Sequence, residues 1–145
     1  MLTKVKAILS KILPKKLSPE DITPYLLIGE EKGLKKLVDQ FYFYMDELEE
    51  AAECRALHGQ SLDSANKKLF MFLSGWLGGP SLYIEKYGHP KMRRRHFPFK
   101  ITPLERDQWL LCMRKAMDDM SYQAELDDYL YKSFSQFAEH MRNSD

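Results

Sequence analysis

The stretch GGPSLYIEKYGHPKMRRRHFPF, residues 78–99, interrupts a chain that is otherwise patterned as amphipathic helices. From Gly78 to Pro103 the sequence holds three glycines and four prolines, a density that breaks regular helices into short pieces. Irregular segments of this length inside a compact domain usually carry function. This segment also contains His89 and His96, two of the four histidines of the chain. We therefore take it as the candidate functional segment.

Helical patterns flank this segment on both sides. Thr23-Pro24 is a typical helix start, and that helix is expected to stop near Gly29. Apolar residues at three- and four-residue steps then predict four long amphipathic helices. Their apolar stripes are Leu34, Leu37, Val38, Phe41, Met45 and Leu48; Leu69, Phe72, Leu73 and Trp76; Trp109, Cys112, Met113, Ala116, Met117 and Met120; and Leu126, Tyr129, Leu130, Phe134, Phe137 and Met141. Residues 54–64 are predicted to form a loop or an irregular turn. The predicted fold class is all-α.

The composition is that of an ordinary globular domain. A chain of 145 residues suits one domain with one core, and a net charge of +1 gives no overall attraction to nucleic acid. Its aromatic content of 12% and its eight methionines suit a pocket for a large flat ligand or an ordinary core. Cys54 and Cys112 are expected to be free thiols of a reduced, cytoplasmic protein. No apolar run is long enough for a membrane helix.

The N-terminal stretch MLTKVKAILSKILPKK mixes lysines with isoleucine and leucine, as targeting peptides do. It lacks an apolar h-region and a small-residue cleavage site, so we interpret it as an amphipathic pre-helix ended by Pro14. Residues 1–18 are thus expected to form an extension, and residues 19–145 the domain. Contact with a membrane surface, without stable insertion, is the alternative for this extension.

The residue chemistry of the segment centres on His96, which stands in the run Arg93-Arg94-Arg95-His96-Phe97-Pro98-Phe99. Imidazole is a common metal ligand and the usual proximal ligand of haem iron, and arginines pair with carboxylates such as propionates. A surface histidine beside a basic cluster is the more common explanation of such a run. The basic triplet also suits phosphate binding, but no recognition motif accompanies it, so no nucleic-acid partner is expected. The ligand spacings of zinc sites and the glycine-rich phosphate loop are absent from the sequence.

A set of motifs in fixed order extends across most of the chain. The set consists of Tyr42, Gly78-Gly79-Pro80, Tyr83, Gly88-His89-Pro90, Arg95-His96-Pro98-Phe99 and Glu105-Arg106-Asp107-Trp109-Cys112-Met113. In this combination the chain resembles a truncated (2-on-2) haemoglobin of group II, over roughly residues 23–135. The most specific parts of the resemblance are the segments Gly78 to Phe99 and Ile101 to Met117.

The resemblance implies a globin-like fold in which two antiparallel helix pairs sandwich a haem, with the proximal helix reduced to a short piece in a long loop. It implies haem b as the cofactor and His96 as the proximal ligand of the iron. On the distal side it implies that Tyr42 and Trp109 donate hydrogen bonds to a ligand. Tyr44 points about 200° away around the same helix and is the alternative to Tyr42.

The third distal position of the family falls on His58 or Leu57, because this chain carries about two extra residues between Tyr42 and Leu69. We prefer His58, because its imidazole is able to form a hydrogen bond with a ligand. Ala65 falls on the gate position of the distal helix, where a small residue leaves side access open. The haem-binding positions that the resemblance implies are Ala65, Lys68, Leu69, Phe72, Leu73, Tyr83, Arg95, Phe99 and Met113, with Lys68, Tyr83 and Arg95 at the propionates.

Three donors, Tyr42, His58 and Trp109, are expected to retain O2, NO, CO or similar ligands tightly. Either Tyr42 or His58 is also a candidate to ligate the iron when no external ligand is bound. The expected role is oxygen scavenging or sensing, or detoxification of NO and other reactive species. The alternative is an NO dioxygenase or peroxidase-like enzyme that depends on a separate reductase, because these residues contain no flavin- or nicotinamide-binding segment. A helical interaction domain without haem is a third possibility. A monomer or weak dimer is expected.

Overall fold

The computed structural model describes residues 2–4, 6, 7 and 21–145 of the protein. Residues 3, 4, 6 and 7 are helical, and Leu2 is buried in the hydrophobic core. The expected end of the pre-helix at Pro14, and the expected boundary after residue 18, lie outside the described residues.

All regular structure within the described residues is helical, so the all-α prediction is confirmed. The helices are α1 Pro24–Leu27, α2 Glu30–Glu47, α3 Ala52–Ala56, α4 Asp63–Trp76, α5 Leu82–Tyr87, α6 Met92–Arg95, α7 Pro103–Met120 and α8 Ala124–Met141, with a 3₁₀ turn at Glu49–Ala51 before α3. The four predicted stripes lie on α2, α4, α7 and α8. The segment 78–103 contains the two short helices α5 and α6, as its glycines and prolines indicate.

Local sequence explains where the helices begin. The hydroxyl of Thr23 accepts a hydrogen bond from the backbone N–H of Leu26 at 3.2 Å, and Pro24 follows at the first helical position. Thr102 caps α7 in the same way, and the Glu105 carboxylate accepts from the Thr102 N–H at 2.8 Å, which completes a capping box. The candidate segment therefore ends at a firmly fixed helix start.

The Gly78-Gly79 pair ends α4 and turns the chain. Gly78 has a φ of +95°, a conformation that favours glycine, and the Gly79 N–H donates to the Ser74 carbonyl at 2.8 Å. A Cβ on Gly79 would lie 2.5 Å from the ring of Tyr25 in α1. The turn is thus pinned against α1, and this contact sets the direction in which the candidate segment leaves α4.

The core forms where the long helices cross. Helix α2 packs against α4 and α7, and α7 packs against α8. The short helix α5 lies on α4, and α6 contacts α8. The largest fully buried side chains come from these long helices and include Phe41, Leu73, Met117 and Phe134. Two helix pairs, α2 with α4 and α7 with α8, thus enclose the core, as the resemblance implies.

The prediction of an irregular segment over residues 54–64 is wrong at both ends. Cys54 to Ala56 belong to α3, and only residues 57–62 lie outside a helix. Tertiary contacts override the weak local pattern here, because Cys54 is 4% exposed and its N–H donates to the buried side chain of Gln108 at 2.8 Å.

The two thiols are free and buried, in line with the sequence expectation. Burial raises the pKa of Cys54 to about 12 and that of Cys112 to about 11, so both are neutral thiols near pH 7. Over the described part of the chain, no helix combines the length and the apolar character that crossing a membrane requires.

Candidate functional site

The half-buried side chain of His96 stands just after α6. Its ring nitrogen Nδ1 lies 2.6 Å from the backbone carbonyl oxygen of Met92, one turn earlier. A carbonyl oxygen only accepts, so Nδ1 carries the proton and donates it. The lone pair of the neutral ring is therefore on Nε2, which has no hydrogen-bond partner among the described residues. This is the tautomer that a metal-ligating histidine requires, with its second nitrogen fixed by a backbone carbonyl.

The backbone that follows His96 is fastened by Asn143, beyond the end of α8. The Asn143 amide nitrogen donates to the His96 carbonyl at 3.2 Å and to the Phe99 carbonyl at 2.8 Å. Its side-chain oxygen accepts from the Ile101 N–H at 2.9 Å, and its own N–H donates to the Ile101 carbonyl at 3.0 Å. One side chain thus satisfies three backbone groups of the loop that carries His96. The sequence interpretation missed Asn143, because its position after the last helical stripe gave no signal of a long-range contact.

We predict that Asn143→Ala loosens His96 without unfolding the protein. Loss of a residue that orients a metal ligand commonly costs 10- to 100-fold in affinity, so haem should transfer to an acceptor apoprotein roughly ten times faster than from the wild type. Asn66→Ala is a matched control, because Asn66 donates to exposed Asp39 at 3.0 Å, away from the loop. Equal haem-transfer rates in the two variants would contradict the role of Asn143.

Helix α2 presents Tyr42, which is 8% exposed. Its hydroxyl donates to the Ala65 carbonyl of α4 at 3.2 Å, so the phenol oxygen points toward the start of that helix. Burial raises the pKa of Tyr42 far above its usual range, which keeps the phenol protonated as a donor. Tyr44 instead donates to Asp119 on the exposed surface at 2.6 Å. Of the two tyrosines, only Tyr42 has a buried hydroxyl group facing α4.

His58 lies beside Tyr42, with ring centroids 6.0 Å apart. Its Nδ1 lies 3.0 Å from the Cys54 carbonyl, which fixes the proton on Nδ1 and leaves Nε2 as an acceptor. Burial lowers the pKa of His58, with a smaller contribution from the positive charge of Arg55, so the ring is neutral near pH 7. In this tautomer Nε2 of His58 carries no proton, so the expected third donor requires protonation of that nitrogen. Its free nitrogen is suited to accept a hydrogen bond or to ligate a metal.

The position of His58 depends on α7. Gln108 is 7% exposed, accepts from the Cys54 N–H at 2.8 Å and donates to Glu53 at 2.6 Å. This fixes the end of α3 whose carbonyl orients His58. Gln108 is a second residue that the sequence interpretation missed, because only the fold places it against α3.

Aromatic rings connect the distal residues to the candidate segment. Trp109 lies 5.1 Å from Phe41, the neighbour of Tyr42, and 5.9 Å from Phe137 of α8. The contacts continue from Phe137 to Phe72 at 5.5 Å and from Phe72 to Tyr83 at 6.2 Å. The indole N–H of Trp109 has no hydrogen-bond partner among the described residues. These rings form an apolar wall, and the indole N–H of Trp109 is a donor on it that bonds to none of the described residues.

The residues predicted at the propionates lie at the outer edge of this wall. Arg95 stacks over Tyr83 at 5.4 Å and donates through Nε to the Pro90 carbonyl at 2.6 Å. Lys68 is exposed, with its ammonium 6.0 Å from the ring of Tyr87. Arg95 therefore joins α5 to α6, and both cations are able to reach an anionic group at this edge.

The other predicted haem contacts differ in exposure. Ala65, Leu69 and Phe72 are partly buried on α4, and Phe99 is 42% exposed. Leu73 and Met113 have no accessible surface, so protein atoms surround them on all sides. Both side chains belong to the hydrophobic core.

This donor set fits a haem. A haem iron bound here would need one protein ligand besides the four porphyrin nitrogens, and Nε2 of His96 has the tautomer that would suit it for that role. A flat macrocycle needs an apolar aromatic wall and cations at one edge, which Phe72, Tyr83, Arg95 and Lys68 provide. A donor and an acceptor, Trp109 and His58, remain unpaired for a second ligand.

Comparison with known proteins agrees with this chemistry. A family model described as bacterial-like globin matches residues 23–143, which is most of the chain. The chain belongs to the bacterial-like globin family. It is 39% identical over 120 residues to the group 2 truncated haemoglobin YjbI of Bacillus subtilis, covering 83% of this chain and 88% of that protein.

Solved structures show the same relationship for this bacterial-like globin. The group II 2-on-2 haemoglobin of Agrobacterium tumefaciens is 44% identical, with a TM-score of 0.84 over 89% of this chain and all of that chain. A truncated oxygen-avid haemoglobin of Bacillus subtilis is 38% identical, with a TM-score of 0.77 over 84% of this chain and 100% of that chain. The resemblance to group II truncated haemoglobins is therefore confirmed, and the family implies haem-based ligand binding.

Proposed function

We propose that this globin binds haem b through Nε2 of His96 and retains O2 and similar diatomic ligands tightly. The observation that carries the proposal is the hydrogen bond from His96 Nδ1 to the Met92 carbonyl at 2.6 Å, which leaves Nε2 free to ligate. Haem iron supplies an open coordination position for a diatomic ligand. Oxygen scavenging or sensing, or detoxification of NO and reactive species, is the role that we assign. We also propose a cytoplasmic monomer or weak dimer, with which two free neutral thiols are compatible.

The distal residues divide into two donors and one acceptor. The Tyr42 hydroxyl, which donates to the Ala65 carbonyl at 3.2 Å, would redirect its proton to a ligand, and Trp109 would donate through its indole N–H. Neutral His58 would accept through Nε2. Each preorganised donor to a partly negative ligand atom contributes about 1–3 kcal/mol. Since about 1.4 kcal/mol is tenfold in affinity, two such donors slow ligand release by orders of magnitude. The similarity to a haemoglobin described as oxygen-avid supports the proposal of tight oxygen retention.

The state of His58 predicts a pH dependence. Below its lowered pKa the ring gains a proton on Nε2 and becomes a donor, so the oxygen dissociation rate should fall as the pH decreases. One added donor contributes about 1 kcal/mol, which predicts that the oxygen dissociation rate decreases about fivefold. Because the pKa of His58 is lowered, the decrease should occur below the ordinary histidine pKa of about 6.5. Stopped-flow measurement of oxygen release across pH tests this expectation. Glutamine does not titrate, so the oxygen dissociation rate of His58→Gln should not depend on pH. The same pH dependence in His58→Gln as in the wild type would contradict the assignment.

The free Nε2 of His58 also supports a second proposal for the ligand-free protein. A neutral imidazole with an exposed lone pair is able to ligate the iron itself. Ligand-free ferric and ferrous proteins would then show six-coordinate, low-spin optical spectra, and His58→Gln would convert them to high-spin spectra. High-spin spectra in the wild type would contradict ligation by His58 and by Tyr42 alike.

An NO dioxygenase or peroxidase-like enzyme is the alternative function. It would require a separate reductase to return the haem to the ferrous state. NO consumption by the ferrous oxygenated protein, measured with and without an added ferredoxin and its reductase, distinguishes the two functions. Turnover beyond one equivalent only with the reductase favours the enzyme, and a single equivalent favours a ligand-binding role.

A further inference from the structure

The segment that carries His96 is strongly basic. Residues 81–100 contain six lysines and arginines and one acidic residue, Glu85, so the segment carries a net charge of +5. Because the whole chain carries +1, the remaining residues carry −4. The positive charge of this protein is therefore concentrated in two stretches, this segment and residues 1–19, which hold five lysines and no acidic residue.

Arginine pairing differs between this segment and the rest of the protein. Each of the four arginines outside the segment forms a salt bridge with a carboxylate; these are Arg55, Arg106, Arg114 and Arg142. Among the described residues, no carboxylate forms a salt bridge with Arg93, Arg94 or Arg95. The guanidinium group of Arg95 donates hydrogen bonds to backbone carbonyls. Arg93 and Arg94 are exposed, and their guanidinium groups form no such hydrogen bonds among the described residues. Glu139, in the depression beside Arg93, is already bound by Arg106 and Arg142.

Exposed apolar side chains lie beside the lysines and arginines of this segment. Ile84 is 51% exposed, Tyr87 is 37% exposed and Phe97 is 56% exposed. The Arg93 guanidinium lies 5.3 Å from the Phe97 ring, and Lys86 lies 5.4 Å from the Tyr87 ring. Arg95 holds α5 and α6 together through its bonds to the carbonyls of residues 87, 89 and 90. The two short helices are therefore held next to each other, and we call their exposed cationic and apolar side chains the basic rim: Ile84, Lys86, Tyr87, Lys91, Arg93, Arg94 and Phe97.

We propose that the basic rim docks an acidic one-electron carrier protein that reduces the haem. This inference rests on the proposed haem function. The reduced carrier gives up one electron and becomes oxidised, and the ferric iron held by His96 receives that electron and becomes ferrous; no bond forms or breaks. A positive surface raises the encounter rate with a negative partner 10- to 1,000-fold at low salt. Exposed aromatic residues beside arginines are typical of protein interfaces and favour a protein over a nucleic acid.

A reduced plant-type [2Fe–2S] ferredoxin with an acidic surface serves as the probe. We expect Arg93→Gln/Arg94→Gln to lower the second-order rate of haem reduction about tenfold at low ionic strength, and the difference should shrink at high salt. The dissociation constant for the oxidised ferredoxin, from calorimetry, should rise by a similar factor. Lys86→Gln/Lys91→Gln should act in the same direction. Lys35→Gln/Lys132→Gln makes the same change in net charge at exposed, paired lysines elsewhere and should change both values less than twofold.

Three outcomes would overturn the proposal: equal effects of the rim and control variants, rates independent of salt, or a short DNA duplex that binds the rim more tightly than the ferredoxin. The Soret band and the CO association rate show whether the haem site is intact in each variant. A wild type without a Soret band would contradict the proposed haem function, whereas calorimetry with the same protein would still test docking at the rim.

Discussion

His96→Ala is expected to release the haem from its protein anchor, with the largest effect of any single substitution in this globin. Nε2 of His96 is the nitrogen that remains free, because Nδ1 is bound to the Met92 carbonyl. Loss of a group that merely orients a metal ligand costs 10- to 100-fold, so loss of the ligand should accelerate haem dissociation by more than about 100-fold. The measurement is the rate of haem transfer to an acceptor apoprotein, followed by the Soret band.

The same segment supplies the control for this experiment. His89 is exposed and stands seven residues earlier in the loop, so His89→Ala should retain haem as the wild type does. Added imidazole should restore a histidine-ligated spectrum to His96→Gly, because the cavity left by the side chain accepts the free ligand. Wild-type haem retention in His96→Ala, or equal losses in His96→Ala and His89→Ala, would contradict the assignment.

Tyr42→Phe is expected to increase the oxygen dissociation rate about 5- to 150-fold, which corresponds to the loss of about 1–3 kcal/mol from one donor. The phenol is buried and protonated, and it faces α4, so phenylalanine removes the donor while keeping the ring. Trp109→Phe should act in the same direction through its indole N–H. The measurement is stopped-flow displacement of oxygen by CO.

Tyr44→Phe is the matched control for Tyr42→Phe, because it removes the same atom from the same helix. The Tyr44 hydroxyl donates to Asp119 at the surface, so its removal should leave oxygen release within twofold of the wild type. Tyr42 and Trp109 are connected through Phe41, so their double variant need not show additive effects. Fast oxygen release in the wild type, unchanged by either single substitution, would contradict tight retention by distal donors.

Much of the fold follows from local sequence. Periodic apolar stripes predict the four long helices, and Thr23-Pro24 and the Gly78-Gly79 pair mark a start and an end that the structure contains. The proline- and glycine-rich pattern predicts the short helices α5 and α6. The prediction of an irregular segment from residue 54 onward was wrong because α3 depends on a hydrogen bond between Cys54 and Gln108. These two residues are 54 positions apart in the sequence.

The candidate site shows a similar division. The resemblance to a known family implies His96, Tyr42 and Trp109 as site residues, because each of them belongs to the ordered set of motifs that the family shares. The proton positions on His58 and His96 depend on which backbone carbonyl each ring meets, and sequence does not specify this. Asn143 binds a carbonyl 47 residues away, so its role appears only when the chain end is placed against the loop. Leu73 and Met113, which the resemblance implies as haem contacts, are completely buried among protein side chains.

Titration of the haem-free protein with haemin tests the central claim most directly. The account predicts a red protein with a Soret band that saturates at one haem per chain, and weak, unsaturated binding in His96→Ala. A wild-type protein that develops no Soret band, or that binds haem equally well with and without His96, would contradict the account and would favour a helical interaction domain.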